Sequence, residues 1–142
     1  YHNRSPKILP YTYYTTATEL ATNSDVLLCL LPGGEETSNA IGAEVFENLG
    51  PTGIFINVGR GSSVDEEALV TALEAGLIAG AGLDVYAHEP AVPEALLSME
   101  QVVLFPHIGT STVETRCEMG NLLIRNLQAF FDNKALISEV NL

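Results

Sequence analysis

The chain has 142 residues, 46% of them hydrophobic, which is enough for one domain with a core and too apolar for a disordered chain. Eighteen acids against six bases leave a formal charge of −12, which argues against a nucleic-acid or anionic-membrane surface. The longest strongly apolar stretch, Val26 to Leu31, falls far short of the ~20 residues a membrane span needs, and no charged-then-apolar leader opens the chain, so a cytoplasmic protein is expected.

In chain order, the pattern alternates strands with helices. Asp25 to Leu31 is a short continuous apolar run, as expected of a strand covered on both faces, and Pro32-Gly33-Gly34 ends it. Residues 40 to 49 read as a helix closed by Gly50-Pro51, and Gly53 to Val58 as a second buried strand. Asp65 to Ala75 is the clearest helix. Its acids crowd the N-terminal turn, where they favour the dipole, and Gly76 follows as a stop. Ile78 to Val85 and Val102 to Phe105 supply two more strands, with a short helical turn over Pro93 to Met99 between them. A long amphipathic helix then runs from about Thr112 to Phe131, with Asn133 near its end. This alternation predicts an α/β fold built on a doubly wound parallel sheet, Rossmann-like and incomplete. Cys29, inside a strand, and Cys117, in a helical segment, read as reduced thiols, and no metal site is expected.

Three segments just past apolar, β-rich runs carry the chemistry: Arg60 in Asn57-Val58-Gly59-Arg60-Gly61, Glu89 in His88-Glu89-Pro90, and His107 in Phe105-Pro106-His107-Ile108-Gly109. Such positions form the ligand-facing edge of an open α/β sheet. Arginine can clamp a carboxylate with two parallel hydrogen bonds. Histidine gives or takes a proton near neutral pH, and a nearby glutamate favours its protonated form. Together the three suit reduction of a 2-oxo acid, or oxidation of a 2-hydroxy acid, by a nicotinamide cofactor. Taken singly, each has an ordinary structural reading: a surface ion-pair partner, a pre-proline loop, a His-Gly turn. His2 and His88 have no motif partner and read as exposed or turn histidines.

The wording around these residues is more specific. The stretch Ile56 to Leu69 resembles the arginine motif of the D-isomer-specific 2-hydroxyacid dehydrogenases. Ala79 to Tyr86 followed by Glu89-Pro90 resembles that family's glutamate motif, and Pro106-His107-Ile108-Gly109-Thr110 with Thr112 to Arg116 its histidine motif. Order and spacing agree over residues 25 to 130. The resemblance implies Arg60 for the substrate carboxylate and Glu89 with His107 as the proton-relay pair, Asp84 lying near the nicotinamide. It implies a small 2-oxo or 2-hydroxy acid as substrate, of the D hand, with a glyoxylate- or hydroxypyruvate-reductase-like activity as the leading subclass. It also implies a homodimer for the complete enzyme. A cofactor-facing set follows at Pro32, Thr37, Val58, Gly59, Arg60, Asp84, His107, Gly109 and Thr110. In place of the family's Pro-Leu-Thr the chain has Pro32-Gly33-Gly34; Thr37 reads either as a cofactor contact or as a helix N-cap.

A dinucleotide-binding fold should open with a strand, a Gly-x-Gly-x-x-Gly turn and a helix. No such motif occurs, and Gly80-Ala81-Gly82 lies inside a strand pattern. Tyr1 to Ser5 looks like the end of the fold's second strand. Residues 1–142 therefore read as the C-terminal portion of a dinucleotide-binding domain, with the glycine-rich loop and substrate domain outside this chain, and inactive alone. The second strand normally ends in an acid that accepts from the ribose diol. Asn3-Arg4-Ser5 offers no acid there, and an arginine beside hydrogen-bond donors favours a 2′-phosphate, hence NADP(H) before NAD(H). The alternative reading is a nucleotide-sensing interaction protein like the C-terminal-binding-protein corepressors, and a third is a piece kept chiefly for dimerisation.

Overall fold

The computed structural model describes residues 1–140. Two compact units divide it, Tyr1–His107 and the remainder from Ile108. The first holds helix α1 (Ala17–Thr22), strand β1 (Val26–Cys29), helix α2 (Ala43–Leu49), strand β2 (Ile54–Asn57), helix α3 (Glu66–Glu74), strand β3 (Gly80–Leu83), helix α4 (Glu94–Leu97) and strand β4 (Val102–Leu104). All pairings are parallel and the sheet order is β1-β2-β3-β4, each step crossing through a helix. The alternation of apolar strands and helical stretches read from the sequence is thus the architecture observed.

Register sorts the side chains. Leu27, Phe55 and Ala81 stand side by side and buried, as do Cys29, Asn57 and Leu83 one step along. Leu27, Phe55, Phe46 and Val45 of α2, and Leu69 and Leu73 of α3, belong to one core, where the Phe46 and Phe55 rings meet edge to face at 5.2 Å. Val26, Leu28 and Ile54 point the other way and are exposed, each at 41% or more. The expectation that the first strand is covered on both faces is corrected: among the described residues one face is covered, because α1, α2 and α3 are the helices that pack here.

Local signals explain most boundaries. Asp65 caps α3 by accepting from the Ala68 N–H at 3.0 Å, and Gly76 follows at φ 65, as the acid-rich start and glycine stop predict. Helix α2 begins at Ala43 rather than residue 40, since a 3-10 turn at Glu35–Thr37 and the bridge between Ile41 and Val64 occupy the approach. Helix α1 carries no sequence expectation; Thr16 caps it by accepting from the Glu19 N–H, and Thr- and Ala-rich wording hides its short apolar face. Tyr1 to Ser5 is not a strand here: His2 makes one isolated parallel bridge, with Tyr14. In the second unit, helix α5 (Val113–Phe131) starts at the cap Thr112, and Asn126 Oδ1 accepts from the Ile137 and Ser138 N–H groups beyond its end. No helix among the described residues is long and apolar enough to cross a membrane.

Candidate active site

The loops leaving β2, β3 and β4 emerge from one end of a parallel sheet, so the topology alone brings Arg60, Glu89 and His107 to a common edge. Each loop is built by specific contacts. After β2, buried Asn57 accepts from the Gly59 N–H at 3.0 Å and donates to the Arg60 carbonyl at 3.2 Å, and Ser63 Oγ donates to the same carbonyl at 2.6 Å. The turn therefore has its Gly59 N–H and Arg60 carbonyl bonded where Arg60 is presented. Gly59 is required by close approach: a Cβ there would lie 2.6 Å from the Leu31 carbonyl oxygen. A Cβ on Gly61 would strike the backbone between Tyr86 and Ala87, so the arginine and glutamate loops touch without a side chain between them.

The glutamate loop is held from both sides. Glu66, the first residue of α3, accepts from the Ala87 N–H at 2.9 Å. Tyr86 donates its N–H to Glu89 Oε1 at 3.1 Å. The other oxygen, Glu89 Oε2, lies 2.8 Å from His107 Nδ1. The hydrogen bond from His107, then that from Tyr86, hold the Glu89 carboxyl below its ordinary value, and the positive charge of Arg60 adds to this. Arg60 is exposed and donates Nη1 to the Gly59 carbonyl at 2.7 Å, one of five guanidinium N–H groups. With Nδ1 facing Glu89, Nε2 is the ring nitrogen left to meet a substrate, lone pair in the neutral ring and N–H donor in the imidazolium. An apolar cavity of about 300 Å3, walled by Pro90, Val92, Leu104 and Phe105, lies beside the pair.

The other expected residues are placed as follows. Asp84 is buried at the end of β3, its N–H on the Asn57 carbonyl at 3.0 Å. Val58 is half exposed beside Gly59. Pro32 is exposed, and Thr37 is not the cap of α2; its hydroxyl donates to the Pro32 carbonyl at 2.6 Å inside the 3-10 turn. Asn3 folds locally, accepting from the Arg4 N–H at 2.8 Å, and Ser5 is exposed. Arg4 meets Glu36 at 3.4 Å with its side chain 84% exposed, so the start of the chain lies against the loop that follows β1. Gly109 and Thr110 fall in the second unit. His2 is bonded to the Tyr14 carbonyl at 3.1 Å, and His88 is exposed. Both cysteines are free. Asn57, Glu66 and Tyr86 escaped the sequence reading as site builders; an Asn two residues before a glycine at a strand end was the one available signal.

Residues 1–109 match the family model described as D-isomer specific 2-hydroxyacid dehydrogenase, NAD binding domain. The chain is 50% identical over 141 residues to hydroxyphenylpyruvate reductase of Plectranthus scutellarioides, covering 99% of this chain and 45% of that protein. It is 45% identical over 141 residues to a glyoxylate/hydroxypyruvate reductase A of Arabidopsis thaliana, with the same coverage of 99% and 45%. A crystal structure of an NADPH-dependent glyoxylate/hydroxypyruvate reductase from Sinorhizobium meliloti, in complex with NADP and malonate, superposes with a TM-score of 0.93 at 49% identity, over 99% of this chain and 44% of that one. The chain thus spans less than half the length of these relatives.

Proposed function

The chain belongs to the D-isomer specific 2-hydroxyacid dehydrogenases, and from that premise we propose that the intact protein reduces small 2-oxo acids to D-2-hydroxy acids with NADPH, and with NADH as second choice. The observation that carries the reading is the 2.8 Å contact between His107 Nδ1 and Glu89, one loop away from Arg60. The residues present fit the nicotinamide end of a dinucleotide. Gly33 and Gly59 let the loops after β1 and β2 close on each other: a Cβ on Gly59 would lie 2.6 Å from the Leu31 carbonyl oxygen and one on Gly33 3.4 Å from Arg60 Cγ. Val58, Gly59 and Asp84 would border the ring, and Pro32 with Thr37 the adjoining loop. When bound, the nicotinamide supplies or accepts the hydride.

The chain's own groups do the rest. Arg60 binds the substrate carboxylate with its remaining donors and polarises the neighbouring carbonyl. His107 Nε2 gives a proton to the oxygen on C2 during reduction and removes it during oxidation. Glu89 fixes the ring orientation through its contact with Nδ1. Arg4 with Asn3 and Ser5 favours a 2′-phosphate.

Among the relatives, one name points to hydroxyphenylpyruvate and two to glyoxylate or hydroxypyruvate. The narrower proposal is a glyoxylate- or hydroxypyruvate-reductase-like activity. A panel of 2-oxo acids assayed with the intact protein, alongside His107→Ala, tests it. The variant is expected to lose turnover by about two orders of magnitude; near-full turnover would end the proposal for His107.

A further inference from the structure

Tyr86 touches Glu89 and, two residues before His107, the backbone of the loop that carries the histidine. It is buried, 6% exposed, and its N–H donates to Glu89 Oε1 at 3.1 Å. Its hydroxyl crosses to the histidine loop and donates to the Phe105 carbonyl at 2.9 Å, with the Leu83 carbonyl a more distant acceptor at 3.3 Å. The loop it reaches needs such a hold. His107 sits at φ 55, a left-handed conformation uncommon for a residue with a side chain, which persists only where the surroundings over-determine it. Phe105 is 49% exposed, so side-chain packing does little to pin the segment. Before it, the Phe105 N–H donates to the Leu83 carbonyl at 2.8 Å and fixes the strand end.

We propose that the Tyr86 hydroxyl is a positioning group: by holding the Phe105 carbonyl it ties the histidine loop to the glutamate loop and keeps His107 Nδ1 within reach of Glu89. The inference rests on the function proposed above, in which that pair relays a proton. Burial, and secondly the charge of Asp84, raise the phenol above its ordinary value, so the group stays a donor across the neutral range. Phenylalanine at this position would keep the ring packing and remove only the tether.

In the complete protein, Tyr86→Phe is expected to lower kcat about tenfold with little change in KM, the signature of a misplaced relay. It should also raise the pKa of the Glu89 carboxyl, because that group is held low chiefly by its hydrogen bond with His107. The rise is read twice: as an upward move of the acid limb of the kcat profile, and without turnover by 13C NMR titration of the Glu89 carboxyl, identified by its absence in Glu89→Gln. In the unmodified protein the Tyr86 hydroxyl proton should exchange slowly enough to be seen by NMR. A folded Tyr86→Phe protein with an unchanged Glu89 titration and pH profile, and only a lower melting temperature, would reduce Tyr86 to packing and overturn the proposal. A fast-exchanging hydroxyl proton in the unmodified protein would overturn it too, whether or not the variant folds. If His107→Ala left turnover intact while Tyr86→Phe still shifted Glu89, the relay reading would fail and the tether would stand.

Discussion

At the scale of single residues, the two oxygens of Glu89 do different work. Oε1 is spent on the backbone of its own loop and Oε2 on His107, so the carboxylate joins its own loop to the His107 ring. Its pKa is lowered in the folded chain. The contribution of the pair to stability is therefore fully present above the unfolded carboxylate pKa, about 4.3, and is lost as pH falls through the lower folded value. The acid limb of kcat/KM governed by Glu89 should accordingly lie below the ordinary glutamate range. Glu89→Gln, which removes that titration, is expected to lower kcat/KM by about tenfold or more and abolish the limb. A limb at or above the ordinary range in the unmodified protein would count against the assignment. Arg60 makes a separate prediction. Arg60→Lys keeps the charge and loses the planar fork, so substrate KM should rise strongly, with kcat/KM down by about a hundredfold and cofactor affinity changed much less. Collapse of cofactor binding at constant substrate KM would move Arg60 to the nucleotide site.

At the scale of elements, the site depends on how α3 and the loops before and after it are fastened. Asp65 caps the helix, and the next residue, Glu66, reaches the glutamate loop through the Ala87 N–H. Asp65→Ala should cost about 1 kcal/mol in denaturant unfolding, the usual loss for a helix cap. Gly61→Ala should cost about 1–3 kcal/mol, since the added methyl meets backbone that can only move as a loop. That variant should also lower turnover, because separating the arginine loop from the glutamate loop moves Arg60 away from Glu89. Comparing its melting temperature with its kcat/KM checks both parts. The acid-rich start and glycine stop of α3 and the start of α5 near Thr112 were legible because they depend on neighbouring residues: Asp65 and Thr112 each accept from an N–H three positions on. Helix α1 was not, because six residues with one buried side chain carry too short a pattern to read.

At the scale of the whole molecule, the first unit presents an apolar row on one sheet face: Val26, Leu28, Ile54 and Val103 are each at least 41% exposed. Parallel sheets are ordinarily covered on both faces, and rows of this kind are where other protein packs. Prepared by itself, the 142-residue chain should bind a hydrophobic dye and self-associate, despite its formal charge of −12, more than the intact protein does. Absence of dye binding would contradict the exposed face. The acidic charge also isolates Arg4, whose near partner in the structure is Glu36. An ion pair so exposed is worth little, so a 2′-phosphate could displace Glu36 at small cost. Changing Asn3 to Asp and Arg4 to Gln in the intact protein should swing preference towards NADH, leaving substrate KM nearly constant. The ratio of kcat/KM for the two cofactors measures it.

The sequence by itself determined the α/β class, the four parallel strands and the three loops that carry Arg60, Glu89 and His107, because each is a local pattern: apolar runs, turn glycines, motif words. Only the tertiary structure decided how those loops are joined. The Glu89–His107 contact, the Gly61 approach to the Tyr86–Ala87 backbone and the Tyr86 hydroxyl on the Phe105 carbonyl all link residues from different loops. So did the coverage of the first strand, read from its continuous apolar run as two-sided and found one-sided. A hydrophobic run records that its side chains prefer burial; which neighbours provide it is settled by what packs against the sheet.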